Sequence, residues 1–163
     1  MRKQVWNSVA PMTTVQPLRP PEMAAWQALI RGYATVVRRL EGELEAEHGL
    51  TLAGYDVLAH LSAVPGRRLR MTDLADCALL SRSGLTRLVD RLGRAGLVTR
   101  QRCEADGRVV YAVLTDAGYR GLQQAYPTHL RGVRRHLVDR LDPDDLHAIT
   151  TAMGKLTEAP PRS

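Results

Sequence analysis

The 163-residue sequence predicts a mainly α-helical chain with a small β-hairpin wing. Three observations carry that expectation. Apolar residues recur at spacings of three and four in several long windows, as one-sided helices require. Two short runs flank an Asp106-Gly107 pair, and Asp-Gly between such runs is a strong hairpin signal. The charge is also localised. Residues 67–108 hold ten arginines and five acidic residues, a net charge of +5, whereas the remaining 121 residues carry +1. A merely solvated surface would spread that excess, so the segment points to an acidic partner.

Residues 1–20 show no periodicity and carry prolines at 11, 17 and 20, which predicts an irregular arm. Met23, Trp26, Ile30, Tyr33, Val37, Leu40 and Leu44 then form one stripe on a first helix of about 26 residues, ~39 Å long. Gly49 suits its C-terminal end. Thr51 is expected to cap a second helix with Leu52, Tyr55, Leu58 and Leu61 inward, broken by Val64-Pro65-Gly66. Thr72 is expected to cap a short third helix. A fourth runs from Ser81 to Ala95 with Leu85, Leu88, Val89 and Leu92 inward, and Gly96 stops it. Strands are expected at Leu97–Arg102 and Val109–Leu114. A long helix begins near Asp116 with the stripe Tyr119, Leu122, Tyr126, Leu130, Val133 and Leu137. Pro127 is expected to interrupt and kink it. Asp142 and Pro143 open a last helix with Leu146, Ile149, Met153 and Leu156 inward, followed by a frayed tail at 159–163.

Several classes of function are disfavoured. Two cysteines, Cys77 and Cys103, are too few for a disulfide framework and suit a reducing cytoplasm. No apolar run approaches the roughly 18 residues of a membrane span, and no apolar segment follows the basic start, so neither membrane nor secretory leader is expected. The histidines at 48, 60, 129, 136 and 147 form no His-x3-His pair, and no metal site is expected. No nucleophile elbow, phosphate loop or carboxylate pair suggests an enzyme or a cofactor.

A short helix, a tight turn, a second helix and a hairpin make a winged helix-turn-helix, here residues 51–115. The second helix of such a unit lies in the DNA major groove. With its leucines inward, the helix from Ser81 turns out Arg82, Ser83, Thr86, Arg87, Asp90, Arg91 and Arg94. Ser81 caps amides that attract phosphate. The short hydroxyls of Ser83 and Thr86 allow close approach, and Arg87 can read a guanine edge. Arg82, Arg91 and Arg94, with Arg102 on the following strand, suit phosphates.

The stretch LRMTDLADCALLSRSGLTRLVDRLGRAGLVTRQRCEADGRVVYAVLTDAG resembles the DNA-binding core of the MarR family of bacterial transcriptional regulators. The wing pattern Asp-x-Arg-x5-Leu-Thr-x-x-Gly is present as Asp106, Arg108, Leu114, Thr115 and Gly118. The resemblance covers about residues 22–158, within a domain taken as 21–158. It implies that Arg108 enters the minor groove, that Asp90 pairs with it to anchor the wing, and that Asp106 belongs to the same anchor. Gly107 stands where many members carry a second basic residue, which implies a weaker wing tip.

The resemblance also gives the outer helices, 21–48 and 116–158, a purpose: a homodimer on a pseudo-palindromic operator. Met23, Trp26, Ile30, Leu130, Val133, Leu137, Leu146, Ile149 and Met153 are the expected interface. It further implies a repressor released by a small aromatic acid bound near Trp26, Arg31, Tyr33, Tyr55 and His60. The expected setting is the cytoplasm of a bacterium, at the nucleoid. Two alternatives differ in class. One is a winged helix used only for protein contacts; Arg87 and Arg108 argue against it. The other is a redox response at Cys103, beside Arg102 at the wing's base, with Cys77 expected to be buried and inert.

Overall fold

The computed structural model describes residues 16–103 and 106–157. The expected arm before residue 16, the tail after residue 157 and the wing residues Glu104 and Ala105 lie outside the described residues. In chain order the elements are α1 (Pro20–His48), α2 (Leu52–Ser62), β1 (Arg68–Arg70), α3 (Met71–Cys77), α4 (Arg82–Arg94), β2 (Val98–Arg102), β3 (Val110–Leu114), α5 (Asp116–His136) and α6 (Pro143–Thr157). Short 3-10 turns occupy Pro65–Arg67 and Val138–Arg140. Among the described residues no helix is long and apolar enough to cross a membrane, and no cluster of three or more His, Cys, Asp or Glu could hold a metal.

The chain divides within α1 into two units, one ending at Ala34 and one beginning at Thr35. In the first, Glu22 accepts from the Arg19 backbone N–H at 2.7 Å and from its guanidinium at 2.6 and 2.8 Å. This is how a first-turn glutamate satisfies an orphan donor at a helix start, and Arg19 lowers the Glu22 pKa. Trp26, Ile30 and Tyr33 are 54%, 45% and 69% exposed, so the front of the stripe covers no core within its own unit.

The second unit is built on a continuous core. Leu44 of α1, Leu58 and Leu61 of α2, Leu74 of α3, Leu85 of α4 and Val98 of β2 are essentially fully buried in it. Each expected helix is present, with corrections. Thr51 caps α2, accepting from Gly54 N–H at 3.1 Å. Thr72 does not cap α3: that helix starts at Met71, and the Thr72 hydroxyl donates to Asp73 Oδ1 at 3.0 Å. Pro127 does not interrupt α5, which runs unbroken from Asp116 to His136. One missing N–H removes one bond from a ladder of many, and tertiary packing supports the rest.

The sheet holds a strand that periodicity did not reveal. The order is β1-β3-β2, all antiparallel, with Arg70 opposite Tyr111 and Arg100 opposite Ala112. Three residues are too few to show a period of two. Burial on the later helices is also displaced. On α5 the buried positions are Gly118, Leu122, Ala125, Thr128 and Gly132, while Tyr126 and Leu130 are 52% and 44% exposed. None of the α6 residues is buried, although four were expected to face inward; Ile149 and Leu156 are 42% and 67% exposed.

The α1 half within this unit is tied to α5 by polar contacts. Thr128 donates to Glu47 at 2.7 Å and lies 2.9 Å from His48 Nε2, and Arg131 reaches Glu47 at 3.1 Å. His136 Nε2 lies 2.8 Å from Glu43, whose pKa His136 lowers. Gly132 permits the close crossing: a Cβ there would come within 2.7 Å of Leu40.

The Leu114-Thr115-x-x-Gly118 pattern has a mechanical reason. The Thr115 N–H donates to the Leu97 carbonyl at 3.1 Å, and its hydroxyl reaches the Gly96 carbonyl at 2.7 Å. The same hydroxyl oxygen accepts from Gly118 N–H at 2.9 Å and so caps α5. A Cβ at Gly118 would run into the Leu97 carbonyl and come within 2.7 Å of Leu114 Cδ1. Gly118→Ala is therefore expected to cost about 2–3 kcal/mol through a forced shift of buried backbone. Urea unfolding checks it, and an unchanged midpoint contradicts the close contact.

Burial sets one pH dependence. His129 stacks on Tyr55 with centroids 4.4 Å apart, and burial pushes its pKa below 6.5, partly offset by Asp56. The unfolded chain then takes up the proton first as pH falls, so this contribution is complete above pH 6.5 and lost below it. Asp56, raised by burial, has the opposite sign nearer its own titration. His129→Phe is expected to remove part of the fall in urea stability between about pH 7.5 and about pH 5.5. An identical pH profile in the variant contradicts the assignment.

Candidate nucleic-acid interface

The apolar side of α4 fixes what its other side presents. Leu85, Leu88, Val89 and Leu92 are buried, so Arg82, Ser83, Thr86, Arg87, Asp90, Arg91 and Arg94 are exposed, as their spacing predicts. Ser81 is the N-cap and accepts from Gly84 N–H at 3.1 Å. Its hydroxyl lies 3.4 Å from that of Ser83, leaving a compact polar tip. Helix amides and exposed arginines at this tip make a surface that favours anions.

Two of the expected contacts are engaged within the protein. Arg91 donates to the Thr51 hydroxyl at 3.2 Å, tying α4 to the α2 cap. Arg94 Nε reaches the Asp90 carbonyl at 3.4 Å. Arg82 and Arg87 are exposed, and so are Arg102 on β2 and Arg108 on the wing.

The wing anchor differs from the expected one. Asp90 pairs with Arg100 of β2 at 2.9 Å, not with Arg108. The same Arg100 Nη2 donates to the Thr86 carbonyl at 3.0 Å. One guanidinium therefore joins the recognition helix to the second strand. Arg100 is opposite Ala112 in the middle of the hairpin, whereas Arg108 lies in the turn before β3 begins. Asp106 acts locally: its carboxylate accepts from Arg108 N–H at 3.0 Å, and its carbonyl from Val109 N–H at 2.9 Å. The Asp-x-Arg spacing thus closes the wing turn.

A cleft of about 340 Å³ lies between the start of α3, α4 and the wing, lined by Arg70, Thr86, Arg100 and Arg108 among others. Arg70 and Arg100 were counted in the basic segment but given no role. The family resemblance assigned the Asp90 partner to Arg108, and nothing in the local sequence pointed to Arg100 on β2. Arg68 lies over the Tyr111 ring at 5.2 Å.

The residues expected around a ligand are divided between the two units. Trp26, Arg31 and Tyr33 belong to the first unit and are exposed; Tyr55 is a core residue of the second, and His60 is half-buried there. Within the second unit a mostly apolar cleft of about 430 Å³ lies between α2 and α5, lined by Tyr55, Ala59, Ser62, Tyr119, Leu122, Gln123 and Tyr126. Tyr119 and Tyr126 had been assigned to a core stripe. Cys77 is exposed on α3, not buried, because the helix turns its Leu74 and Ala75 inward; Cys103 is half-buried.

The Asp90–Arg100 link is exposed enough to be weak. A double-substitution cycle with Asp90→Asn and Arg100→Gln is expected to show coupling of about 0.5 kcal/mol in stability. Coupling of the same size between Asp90 and Arg108, with none to Arg100, contradicts the pairing.

Comparison with known proteins agrees with this geometry. The MarR family model matches residues 48–109. The HTH-type transcriptional regulator YkoM of Bacillus subtilis (strain 168) is 30% identical over 109 residues, 67% of this chain and 69% of YkoM. Two solved structures from Streptomyces coelicolor are similar over nearly their whole length. AbsC, a MarR family transcriptional regulator, is 35% identical with a TM-score of 0.81, covering 87% of this chain and 95% of AbsC. Sco3205, a MarR family transcriptional regulator solved in complex with DNA, is 33% identical with a TM-score of 0.85, covering 91% of this chain and 95% of Sco3205. With its exposed α4 arginines, its closed wing turn and these relatives, the chain belongs to the MarR family of transcriptional regulators.

Proposed function

We propose that this chain binds a pseudo-palindromic DNA duplex as a homodimer, with α4 in the major groove and Arg108 in the minor groove. The observation that carries the reading is the exposed row Arg82, Ser83, Thr86 and Arg87 beside a wing held to the same helix by Arg100. Arg87 reads a base edge, and Arg82, Arg94 and Arg102 hold phosphates. The DNA complex of the relative Sco3205 supports the reading.

The apolar residues left uncovered support the dimer. In the second unit these are Leu130, Ile149 and Leu156, beside the half-buried Val133, Leu137, Leu146 and Met153; in the first they are Trp26 and Ile30, with Met23 half-buried. Side chains of this size are seldom left in water in such numbers, and α6 buries none of its residues within the chain. The dimer presents two copies of α4 about one DNA turn apart.

The molecule acts as a repressor, and a small aromatic acid releases it by binding in the cleft between α2 and α5, which Tyr55, Tyr119 and Tyr126 line. The ligand biases the dimer toward a spacing that does not fit the duplex.

Arg87→Ala is expected to relax base preference and cost about ten- to a hundredfold in affinity for a duplex selected from a random pool. Arg102→Ala is expected to lower affinity evenly on all sequences and reduce the salt slope by about 1. Light scattering is expected to give twice the 18.1 kDa chain mass. Unchanged selectivity in the Arg87 variant contradicts the major-groove assignment, and a monomer at micromolar concentration contradicts the dimer.

A further inference from the structure

Two residues other than glycine have positive φ: Arg67 at 50° and Leu79 at 52°, among the described residues. In this region the side chain of an L-residue crowds its own backbone, and such positions persist where something else holds them. For Arg67 the reason is visible. Its guanidinium lies 3.9 Å from the Tyr119 ring centroid and 3.2 Å from Asp116. Among the described residues Leu79 has no such compensation: it is 92% exposed, the most exposed large apolar residue among them.

The local geometry shows what kind of residue the backbone favours. Leu80 N–H donates to the Ala75 carbonyl at 2.9 Å, so α3 ends in a Schellman turn with Leu79 at the left-handed position. The same turn closes α4, where Leu97 N–H donates to the Leu92 carbonyl at 2.9 Å and the left-handed residue is Gly96. After α1 it is Gly49. Among the described residues, only the turn between α3 and α4 places a large apolar side chain there. Folding accounts for neither its strain nor its exposure.

Its position does. Leu79 stands two residues before Ser81, the N-cap of α4, and three before the exposed Arg82. The N-terminal end of a recognition helix is the part that enters the groove. The next residue, Leu80, lines a shallow groove with Arg87 and Arg91, while the exposed Asp76 lies on the α3 side of the turn. A polyanion is the body such a surface attracts, and within a duplex the apolar carbons available are thymine methyls and deoxyribose carbons.

We propose that Leu79 is a DNA-contacting residue that packs on such a carbon of the duplex and adds affinity that the arginines do not supply. The proposal rests on the DNA-binding reading above. It makes the turn between α3 and α4 a working part of the interface.

The test uses the full chain with a duplex selected from a random pool by the wild-type protein. Affinity is measured across a salt series and thermal midpoints are measured alongside, for Leu79→Gly, Leu79→Asn and Leu79→Met, with Arg87→Ala as a control. Glycine and asparagine tolerate the backbone, so both variants are expected to keep or raise the midpoint. Both are expected to lose about three- to tenfold in affinity, with an unchanged salt slope because no phosphate contact is lost. Leu79→Met is expected to retain affinity. Replacing thymine by uracil in the duplex locates the contact. Weaker wild-type binding with no further loss in Leu79→Gly assigns it to a methyl; no effect, with the Leu79→Gly loss intact, assigns it to a sugar.

Wild-type affinity in both the glycine and asparagine variants overturns the proposal. So does a loss accompanied by a lower midpoint or a shallower salt slope. If those variants are neutral while Arg87→Ala loses binding, this proposal alone falls. If Arg87→Ala is neutral as well, the DNA-binding reading falls with it.

Discussion

The placement of four side chains decides what this molecule can present to a partner. Leu85, Leu88, Val89 and Leu92 of α4 are all buried in the core they share with α2, α3 and the sheet. Each such burial is worth about 2–3 kcal/mol, far more than any exposed ion pair nearby. The helix is therefore held in one rotation about its axis, and its arginines and hydroxyls face outward because the leucines face in. The Arg100 contacts to Asp90 and Thr86 then set the hairpin against that helix. Binding chemistry on one face follows from hydrophobic chemistry on the other.

The same logic exposes what one chain leaves unfinished. α6 buries none of its residues, yet it carries apolar residues at helical spacing. On α5 the buried face runs through Gly118, Leu122, Ala125, Thr128 and Gly132, and its small residues admit close neighbours. The larger Tyr126 and Leu130 stay out. A helix with two apolar faces, one filled and one open, is suited to a core on one side and a second chain on the other.

Much of this architecture was legible in the sequence, and the exceptions share a cause. Helices with strong one-sided patterns, such as α4 with its Ser81 cap and Gly96 stop, could be placed to within a residue or so. The hairpin was legible from Asp106-Gly107. A three-residue strand has no period to detect, so β1 was not. An apolar stripe says that a face is covered but not by what, which is why Leu146, Ile149 and Met153 could be read both as facing inward and as a dimer interface. Cys77 was expected to be buried because it sits near the apolar face of a short helix, but only Leu74 and Ala75 of α3 are buried. Contacts between elements were the least legible. Arg100, ten residues after Asp90 and on a strand, is its partner, and Tyr119 and Tyr126 join Tyr55 around a cleft only once α2 and α5 pack. Nothing in the sequence singles out Leu79; its φ and its exposure do so only together.

The central claim is that the α4 and wing surface recognises a particular duplex, beyond attracting polyanions. The most direct test measures binding of the wild-type protein to the intergenic DNA beside its own gene and to a scrambled duplex of equal composition, over a range of salt. The account predicts nanomolar affinity for the intergenic DNA, a steep salt slope on both, and a gap of about a thousandfold or more that survives at physiological salt. Equal, weak binding to both, vanishing together as salt rises, would contradict it.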